Sequence, residues 1–335
     1  MSDIAALPKV ELHVHIEGTL EPELIVELAD RNAIALPYSS LADLRARYAF
    51  DDLQSFLDLY YANMAVLRTA DDFADLTLAY LRRAASGGVR HAEIFFDPQA
   101  HVIRGVPLAT VVDGLVEGCR RGEAETGVTS ALIACFLRDR DAEEALGVLD
   151  RLIALGAPII GIGLDSAEVG NPPSKFTALF AHARDLGLHL VAHAGEEGGP
   201  EYVRDALDLL GVERVDHGVR AVLDPDLLRR LAAGRVPLTV CPLSNLRLHG
   251  VASLAEHPLP QLIASGVVAT INSDDPAYFG GYAEDNYAAV AREFGLGAGD
   301  LAALAHNSVE AAFLPAERKA ALDDEIEAWL PRQDD

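Results

Sequence analysis

Short apolar, β-branched runs alternate with longer amphipathic stretches along nearly the whole chain of 335 residues, and this alternation limits the possible folds most. Eight runs are predicted to be strands, at 9–16, 89–97, 129–137, 159–166, 189–194, 214–219, 237–243 and 267–273. Their near-continuous apolar character is typical of parallel strands covered on both faces. Because helical patterns separate them, strand and helix alternate eight times. We therefore predict an α/β fold, a (β/α)8 TIM barrel.

Two stretches depart from the plain repeat. Residues 17–88 are long for one crossover and hold several helical patterns, which we expect to form additional helices over the barrel mouth. The tail after Gly297 is also helical in pattern, with Asp300 as its expected N-cap. Since no low-complexity linker or charge block interrupts the chain, we expect residues 1–335 to form a single domain.

The charge of the chain excludes several classes of partner. With 52 acidic and 27 basic residues, the formal net charge is -25, which argues against binding to nucleic acid or to an anionic membrane surface. Three cysteines are too few for a disulfide scaffold. The N-terminal run has no secretory signal pattern, and no segment has the length of a transmembrane helix. We expect a cytoplasmic protein with a small-molecule partner, and the sequence carries no indication of its oligomeric state.

Histidines and a carboxylate stand where several predicted strands end. His13 and His15 are two residues apart on the first strand, so both imidazoles point to the same side. His193 lies at the end of the fifth strand, and Asp274 follows the eighth. Active sites on this fold are built at the carboxyl ends of the strands, so these four side chains are expected to converge. The set suits one Zn²⁺ per chain, and Fe²⁺ or Co²⁺ would fit the same ligands.

Two more side chains are candidates for proton transfer at this centre. Gly195 allows a sharp turn after the fifth strand, so Glu196 is expected to lean back over the barrel mouth. His217 ends the sixth strand, where it is placed to orient an attacking water or accept its proton. We therefore predict His217 as a catalytic residue and expect Glu196 to face the same centre.

Five segments together resemble the adenosine and adenine deaminase family, in order and across nearly the whole chain: HVHIEGTLEPE, HAGEEG, RVDHGV, VCPLSN and INSDDPAYFGGY. The resemblance implies hydrolytic removal of the 6-amino group of a purine, on a barrel that holds one zinc. The implied metal ligands are His13, His15, His193 and Asp274. The resemblance further implies that Glu196 donates a proton to N1 of the purine and that Asp275 binds N7. His217 and Asp274 would orient the water.

The choice between base and nucleoside depends on two other carboxylates. Segments such as GLDSAEVGNPPSKF and IFFDPQAH look closer to the adenine deaminase branch, which converts adenine to hypoxanthine in purine salvage. Nucleoside deaminases of the family usually have Asp at the position of Glu17 and Gly near the position of Glu168. We therefore predict that Glu17 and Glu168 bind substrate, with Glu168 accepting a hydrogen bond from N9–H of the free base. The alternative for Glu168 is a loop carboxylate with a local hydrogen bond. Adenosine and N6-substituted adenines stay open as substrates.

Two other functions are weighed against this one. Binuclear barrel hydrolases also begin with His-x-His, but many bridge their metals with a lysine at the end of strand four. The lysines of this chain, Lys9, Lys175 and Lys319, do not lie there. A non-catalytic purine-binding protein is the alternative of another class. It would be supported by a missing ligand or acid, and none of them is missing here.

Overall fold

Eight parallel strands follow one another around a barrel in the order in which they occur along the chain. The structure, a computed structural model, describes residues 3–330. The strands are β1 (Lys9–His15), β2 (Val89–Phe96), β3 (Thr129–Leu137), β4 (Ile159–Asp165), β5 (His189–Ala194), β6 (Arg214–His217), β7 (Leu238–Val240) and β8 (Ala269–Ile271). Each pairs in parallel with the next.

Backbone hydrogen bonds between the chain after β8 and β1 close the barrel. The amide of His15 donates to the carbonyl of Asp274 at 3.0 Å, and the amide of Asp274 donates to the carbonyl of His13 at 3.0 Å. A parallel bridge between Val14 and Asp274 lies at the same place. The closing contact therefore fixes Asp274 directly beside the two histidines of β1.

Sixteen α-helices occur in the described residues. They are α1 (Pro22–Arg31), α2 (Leu41–Ala46), α3 (Leu53–Asn63), α4 (Ala70–Ser86), α5 (Pro98–Ile103), α6 (Leu108–Thr126), α7 (Ala142–Ala154), α8 (Thr177–Asp185), α9 (Pro200–Asp205), α10 (Pro225–Gly234), α11 (Pro242–Arg247), α12 (Leu259–Ala264), α13 (Pro276–Phe279), α14 (Ala283–Phe294), α15 (Ala298–Ala311) and α16 (Ala316–Trp329). None of the helices in 3–330 combines the length and apolar character needed to cross a membrane.

The predicted barrel and all eight predicted strands are confirmed. Strands β6 to β8 are shorter than predicted, because the apolar runs continue past the last ladder hydrogen bonds. At the end of β6, for example, His217 and Gly218 turn away with φ of 63° and 69°. The predicted N-cap of α15 is wrong. Asp300 lies inside the first turn, where its carboxylate accepts a hydrogen bond from the amide of Gly297 at 2.9 Å.

The helices between β1 and β2 divide into two groups. Helix α4 packs against β2 and α6, so it belongs to the ring of helices around the barrel rather than to an insertion. Helices α1 to α3 are additional to the alternating repeat. Of these, α3 contributes Leu53, Phe56, Leu57, Tyr60 and Tyr61 to a cavity at the barrel mouth. The expected helical cover over the mouth is therefore supplied by α3.

Large apolar side chains fill the barrel interior below that mouth. Phe95, Ile133, Cys135 and Val191 form a fully buried cluster contributed by β2, β3 and β5. Packing of this kind leaves the strand ends as the place where polar side chains can converge.

Candidate active site

Three imidazoles and one carboxylate converge at the carboxyl ends of β1, β5 and β8. Atom Oδ1 of Asp274 lies 3.3 Å from Nε2 of His13 and 3.5 Å from Nε2 of His15. The Nε2 atoms of His15 and His193 are 3.1 Å apart. Four ligand atoms held at about 2.0–2.1 Å from a tetrahedral zinc ion would be about 3.3–3.4 Å from one another. These three separations match those of a metal centre.

The outer ring nitrogens of two of these histidines face polar groups below the centre. Nδ1 of His13 lies 2.9 Å from the hydroxyl of Thr239, which donates to Asp216 at 2.8 Å. Nδ1 of His193 lies 3.8 Å from the other oxygen of Asp216. The hydrogen bond at Nδ1 of His13 leaves its Nε2 lone pair directed at the centre, as in metal-binding histidines, whereas Nδ1 of His193 faces Asp216 without forming a hydrogen bond.

The charges at the centre also call for a cation. Nε2 of His13 is buried and has no hydrogen-bond donor or acceptor among the described residues. Burial lowers the pKa of His13, but the carboxylates of Asp274 and Asp216 outweigh burial and raise that pKa. Burial raises the pKa of Asp274, and the neighbouring imidazoles outweigh it and hold that pKa well below its ordinary value. The site thus favours a positive charge between the carboxylate and the imidazoles, and its donors suit a divalent metal with nitrogen and oxygen ligands.

His217 lies beside this centre. Its Nε2 is 3.7 Å from Oδ2 of Asp274, the oxygen that faces away from His13 and His15, and 3.6 Å from Glu196. Burial lowers the pKa of His217 to about 3, so its imidazole is neutral at pH 7. Four possible ligand atoms lie within 4.8 Å of one another, one each from His13, His193, His217 and Asp274. His217 is therefore as close to the candidate metal position as the predicted ligands are.

A chain of hydrogen bonds sets the tautomer of His217. The amide of Leu259 donates to Nδ1 of His257 at 3.1 Å, so Nε2 of His257 carries the proton and donates to Oδ1 of Asn245 at 3.0 Å. The amide nitrogen of Asn245 then faces Nδ1 of His217 at 3.4 Å. Since Nδ1 accepts, the proton of His217 is on Nε2 and points at the carboxylates.

Two carboxyl groups with raised pKa values face the cavity. Burial, and then the neighbouring Asp274, raise the pKa of Glu196 well above its ordinary value. Burial and Asp274 likewise raise the pKa of Asp275 well above its ordinary value, and Oδ1 of Asp275 is buried without a hydrogen-bond partner in the described chain. A lowered pKa at Asp274 beside raised pKa values at Glu196 and Asp275 is the divergence expected of an acid–base site.

The backbone at the site is held in an unusual conformation. Ser166, His217 and Asp274 have φ of 71°, 63° and 67°, in the left-handed region that residues other than glycine rarely adopt. All three follow or end a barrel strand. Strain of this kind persists where surrounding contacts over-determine it, which is common at functional sites.

A cavity opens above the cluster formed by the three histidines and Asp274. Helix α3 forms one side of it, with Leu248 and Phe279 beside it. The polar lining consists of His15, Asp97, Asp165, Ser166, His193, Glu196, His217, Asp274 and Asp275. The structure thus brings the predicted metal-binding and catalytic residues and Asp275 to one place; of these, only His13 does not line the cavity itself.

Glu168 and Glu17 do not line this cavity, so the structure does not support the prediction that they contact substrate. Glu168 is buried, and its carboxylate accepts hydrogen bonds from four consecutive amides, those of residues 195–198, at 2.7–3.1 Å. Glu17 is buried against His101 at 2.7 Å and the amide of Asp97 at 3.1 Å. Glu168 is therefore the loop carboxylate of the alternative interpretation, and it anchors the turn that carries Glu196.

Three polar residues at the site were missed by the sequence analysis. Asp97 and Asp165 end β2 and β4 and line the cavity, and Asn245 orients His217. A polar residue directly after an apolar barrel strand was the available signal for the two aspartates. No local pattern indicates the role of Asn245, because it depends on the distant His257.

Comparison with known proteins gives consistent results. The model of the adenosine deaminase family matches residues 8–329. A protein of Streptomyces coelicolor named adenine deaminase is 58% identical over 325 residues, which is 96% of this chain and 96% of that protein. The crystal structure of an adenine deaminase from Arthrobacter aurescens superposes with a TM-score of 0.96 at 57% identity, covering 97% of this chain and 100% of that one. An amidohydrolase from Burkholderia ambifaria with bound zinc gives a TM-score of 0.89 at 31% identity, covering 99% and 92%.

Proposed function

The chain belongs to the adenosine deaminase family, and from this premise we propose that it is an adenine deaminase that uses one zinc ion. The reaction is hydrolysis at C6 of adenine, which gives hypoxanthine and ammonia. Such a reaction returns a free base to the purine pool, so we assign the enzyme to purine salvage.

One observation carries the proposal. The Nε2 atoms of three histidines and Oδ1 of Asp274 lie 3.1–3.5 Å from their neighbours, next to a cavity that also exposes the neutral carboxyl groups of Glu196 and Asp275. Metal ligands and proton donors around a small cavity are what hydrolysis of an aromatic amidine requires.

The metal would be held by His13, His15, His193 and Asp274. When bound, zinc lowers the pKa of a coordinated water to about 7, so that a nucleophile is available at neutral pH. The zinc-containing relative from Burkholderia ambifaria supports this metal. Fe²⁺ and Co²⁺ suit the same donors and are the alternatives.

Glu196 and Asp275 bind the two ring nitrogens that flank C6. The neutral carboxyl of Glu196 donates its proton to N1, which prevents negative charge from accumulating on the ring as the water attacks. The neutral carboxyl of Asp275 donates a hydrogen bond to N7 through its free oxygen. With both contacts made, C6 faces the histidine cluster.

His217 and Asp274 act on the attacking water. The Nε2–H of His217 donates a hydrogen bond and orients the water, because Nδ1 is already occupied by Asn245. The Oδ2 atom of Asp274, 3.7 Å from that nitrogen, is placed to accept the proton that the water loses. His217 is therefore an orienting donor in this proposal, rather than the proton acceptor.

Parallel assays of ammonia release from adenine, adenosine and N6-methyladenine test this function. The zinc-loaded protein is expected to turn over adenine in preference to the other two, and a chelator should abolish that turnover. Preference for adenosine would keep the chemistry and refute the assignment to the free base. No turnover of any of the three by zinc-loaded protein would refute the proposed function.

A further inference from the structure

The proposed contacts leave one edge of adenine without a partner. Glu196 follows β5 and Asp275 follows β8, and they take N1 and N7 on either side of C6. The edge formed by N3 and N9–H lies on the opposite side of the purine. In a barrel whose strands follow chain order, that edge faces the ends of β2 to β4, across from β6 to β8.

Asp97, at the end of β2, lies on that side and faces the cavity. Its side chain is 1% exposed, and its Oδ1 has no hydrogen-bond partner in the described chain. Asp165 is its neighbour, and carboxylate atoms of the two lie within 4.8 Å of each other and of a ring nitrogen of His15. Asp165 also has a second role, because its Oδ2 lies 3.6 Å from Nδ1 of His15. Oδ1 of Asp165 likewise has no hydrogen-bond partner in the described chain, but Asp165 pairs with His15 through its other oxygen, so Asp97 is the member of the pair that forms no ion pair.

No Lys, Arg or His side chain of the described residues forms an ion pair with the carboxyl group of Asp97. Burial, and then the neighbouring carboxyl groups of Asp165, Glu17 and Asp275, raise the pKa of Asp97 well above its ordinary value. A buried polar atom without a hydrogen-bond partner lowers the stability of the fold. Such an atom therefore indicates a place where a ligand supplies the missing hydrogen bond. The cavity, the buried orphan oxygen and the orientation of the purine point to the same contact.

We propose that Oδ1 of Asp97 accepts a hydrogen bond from N9–H of the free base, which makes Asp97 a specificity-determining residue. This inference rests on the proposed function and names how the same site selects its substrate. A nucleoside has a ribose carbon in place of that hydrogen, so it leaves Oδ1 unpaired and brings the sugar against Asp97 and Asp165. Sites built to bind an N–H or O–H group of the substrate discriminate strongly against analogues that lack it.

Substitutions at Asp97 separate this role from a structural one. In Asp97→Asn the side-chain oxygen is kept as an acceptor and the amide can donate to Asp165, whereas Asp97→Leu keeps a similar length and loses the acceptor. Asp139→Asn is the control, since Asp139 is exposed in the turn after β3 at the same end of the barrel. Zinc-loaded wild type and variants are assayed with adenine and with 9-methyladenine, which lacks only N9–H. Thermal unfolding confirms that each is folded.

The wild type and Asp139→Asn are expected to prefer adenine over 9-methyladenine by about 10³-fold in kcat/KM. Asp97→Leu should lower kcat/KM for adenine about 10²-fold and shrink the preference accordingly, while Asp97→Asn stays within about 10-fold of wild type. Hypoxanthine also has N9–H, so calorimetry should show that it binds Asp97→Leu more weakly than wild type or Asp97→Asn. An unchanged preference in Asp97→Leu, or equal losses in Asn and Leu variants, overturns the inference. Absence of adenine turnover in the wild type refutes the proposed function instead.

Discussion

At the scale of single residues, the site depends on carboxyl groups of the same chemistry kept in different protonation states. Neighbouring imidazoles hold the pKa of Asp274 well below its ordinary value, whereas burial and the nearby Asp274 raise the pKa values of Glu196 and Asp275 well above theirs. In the proposed reaction each of the three groups then serves one role: Asp274 accepts a proton, Glu196 donates one and Asp275 binds a ring nitrogen. Separation of environments in this way allows acid and base chemistry at one pH.

Activity is expected to fall as the pH rises through the pKa of Glu196. The folded enzyme holds that pKa above the ordinary value, so the proton donor survives to higher pH than a free carboxyl would. Glu197 contributes to the elevation, so Glu197→Gln should move the alkaline limb of kcat/KM to lower pH. Glu201→Gln, an exposed neighbour, should leave the limb in place. Coincident limbs in wild type and Glu197→Gln would contradict this account.

Glu196→Gln should lower kcat about 10²–10⁴-fold.

Asn245 is expected to affect the rate through the tautomer of His217. Asn245→Ala removes the donor to Nδ1 and should lower kcat about 10–100-fold with little change in KM. Asn245→Asp should be more harmful, because a carboxylate only accepts and would draw the proton of His217 from Nε2 to Nδ1. Steady-state kinetics on adenine measure both. If the Asp variant retained wild-type kcat, the orientation assigned to His217 would be wrong.

At the scale of elements, the strands were predictable and the directions of loop side chains were not. Apolar runs determine where barrel strands lie, and the rule that sites form at strand ends is enough to predict that His13, His193 and Asp274 converge. Glu168 shows the limit. Its place after β4 suggested a substrate contact, but its carboxylate turns towards the amides of the loop after β5, 27 or more residues away. Only tertiary structure supplies such a partner.

Loss of the Glu168 carboxylate should therefore loosen the turn that carries Glu196. Four buried amides lose their charged acceptor in Glu168→Gly, so we expect a loss of about 2 kcal/mol in the free energy of unfolding and a fall in kcat on adenine. Adenosine activity should not appear, since Glu168 does not line the cavity. Chemical denaturation and assays on both substrates measure these effects, with Glu201→Gln as the matched surface control. A gain of adenosine turnover would instead support a substrate-binding role for Glu168.

At the scale of the whole molecule, the metal centre joins parts of the chain that are far apart in sequence. His13 comes from the first strand, Asp274 from the segment after the last strand that closes the barrel, and His193 from the fifth strand. A metal that binds this folded arrangement and not the unfolded chain stabilises the fold by mass action.

Removal of the metal is expected to lower Tm, and added zinc to restore it. At about 1,000 times the Kd, a bound metal adds about 4 kcal/mol to the free energy of unfolding. His193→Ala should lose the zinc-dependent rise in Tm. His306→Ala should keep it, because His306 pairs with Asp323 and Glu327 away from the centre. Calorimetry in chelator and in zinc measures the difference. Equal rises in both variants would place the stabilising metal elsewhere.

The most direct test of the central claim is a titration of chelator-treated protein with zinc while the conversion of adenine to hypoxanthine is followed. The account predicts that the rate rises with added metal and reaches its plateau at one zinc per chain. In Asp274→Asn it should stay near zero throughout. Full activity without metal, or a plateau at two metals per chain, would contradict a single zinc centre built from His13, His15, His193 and Asp274.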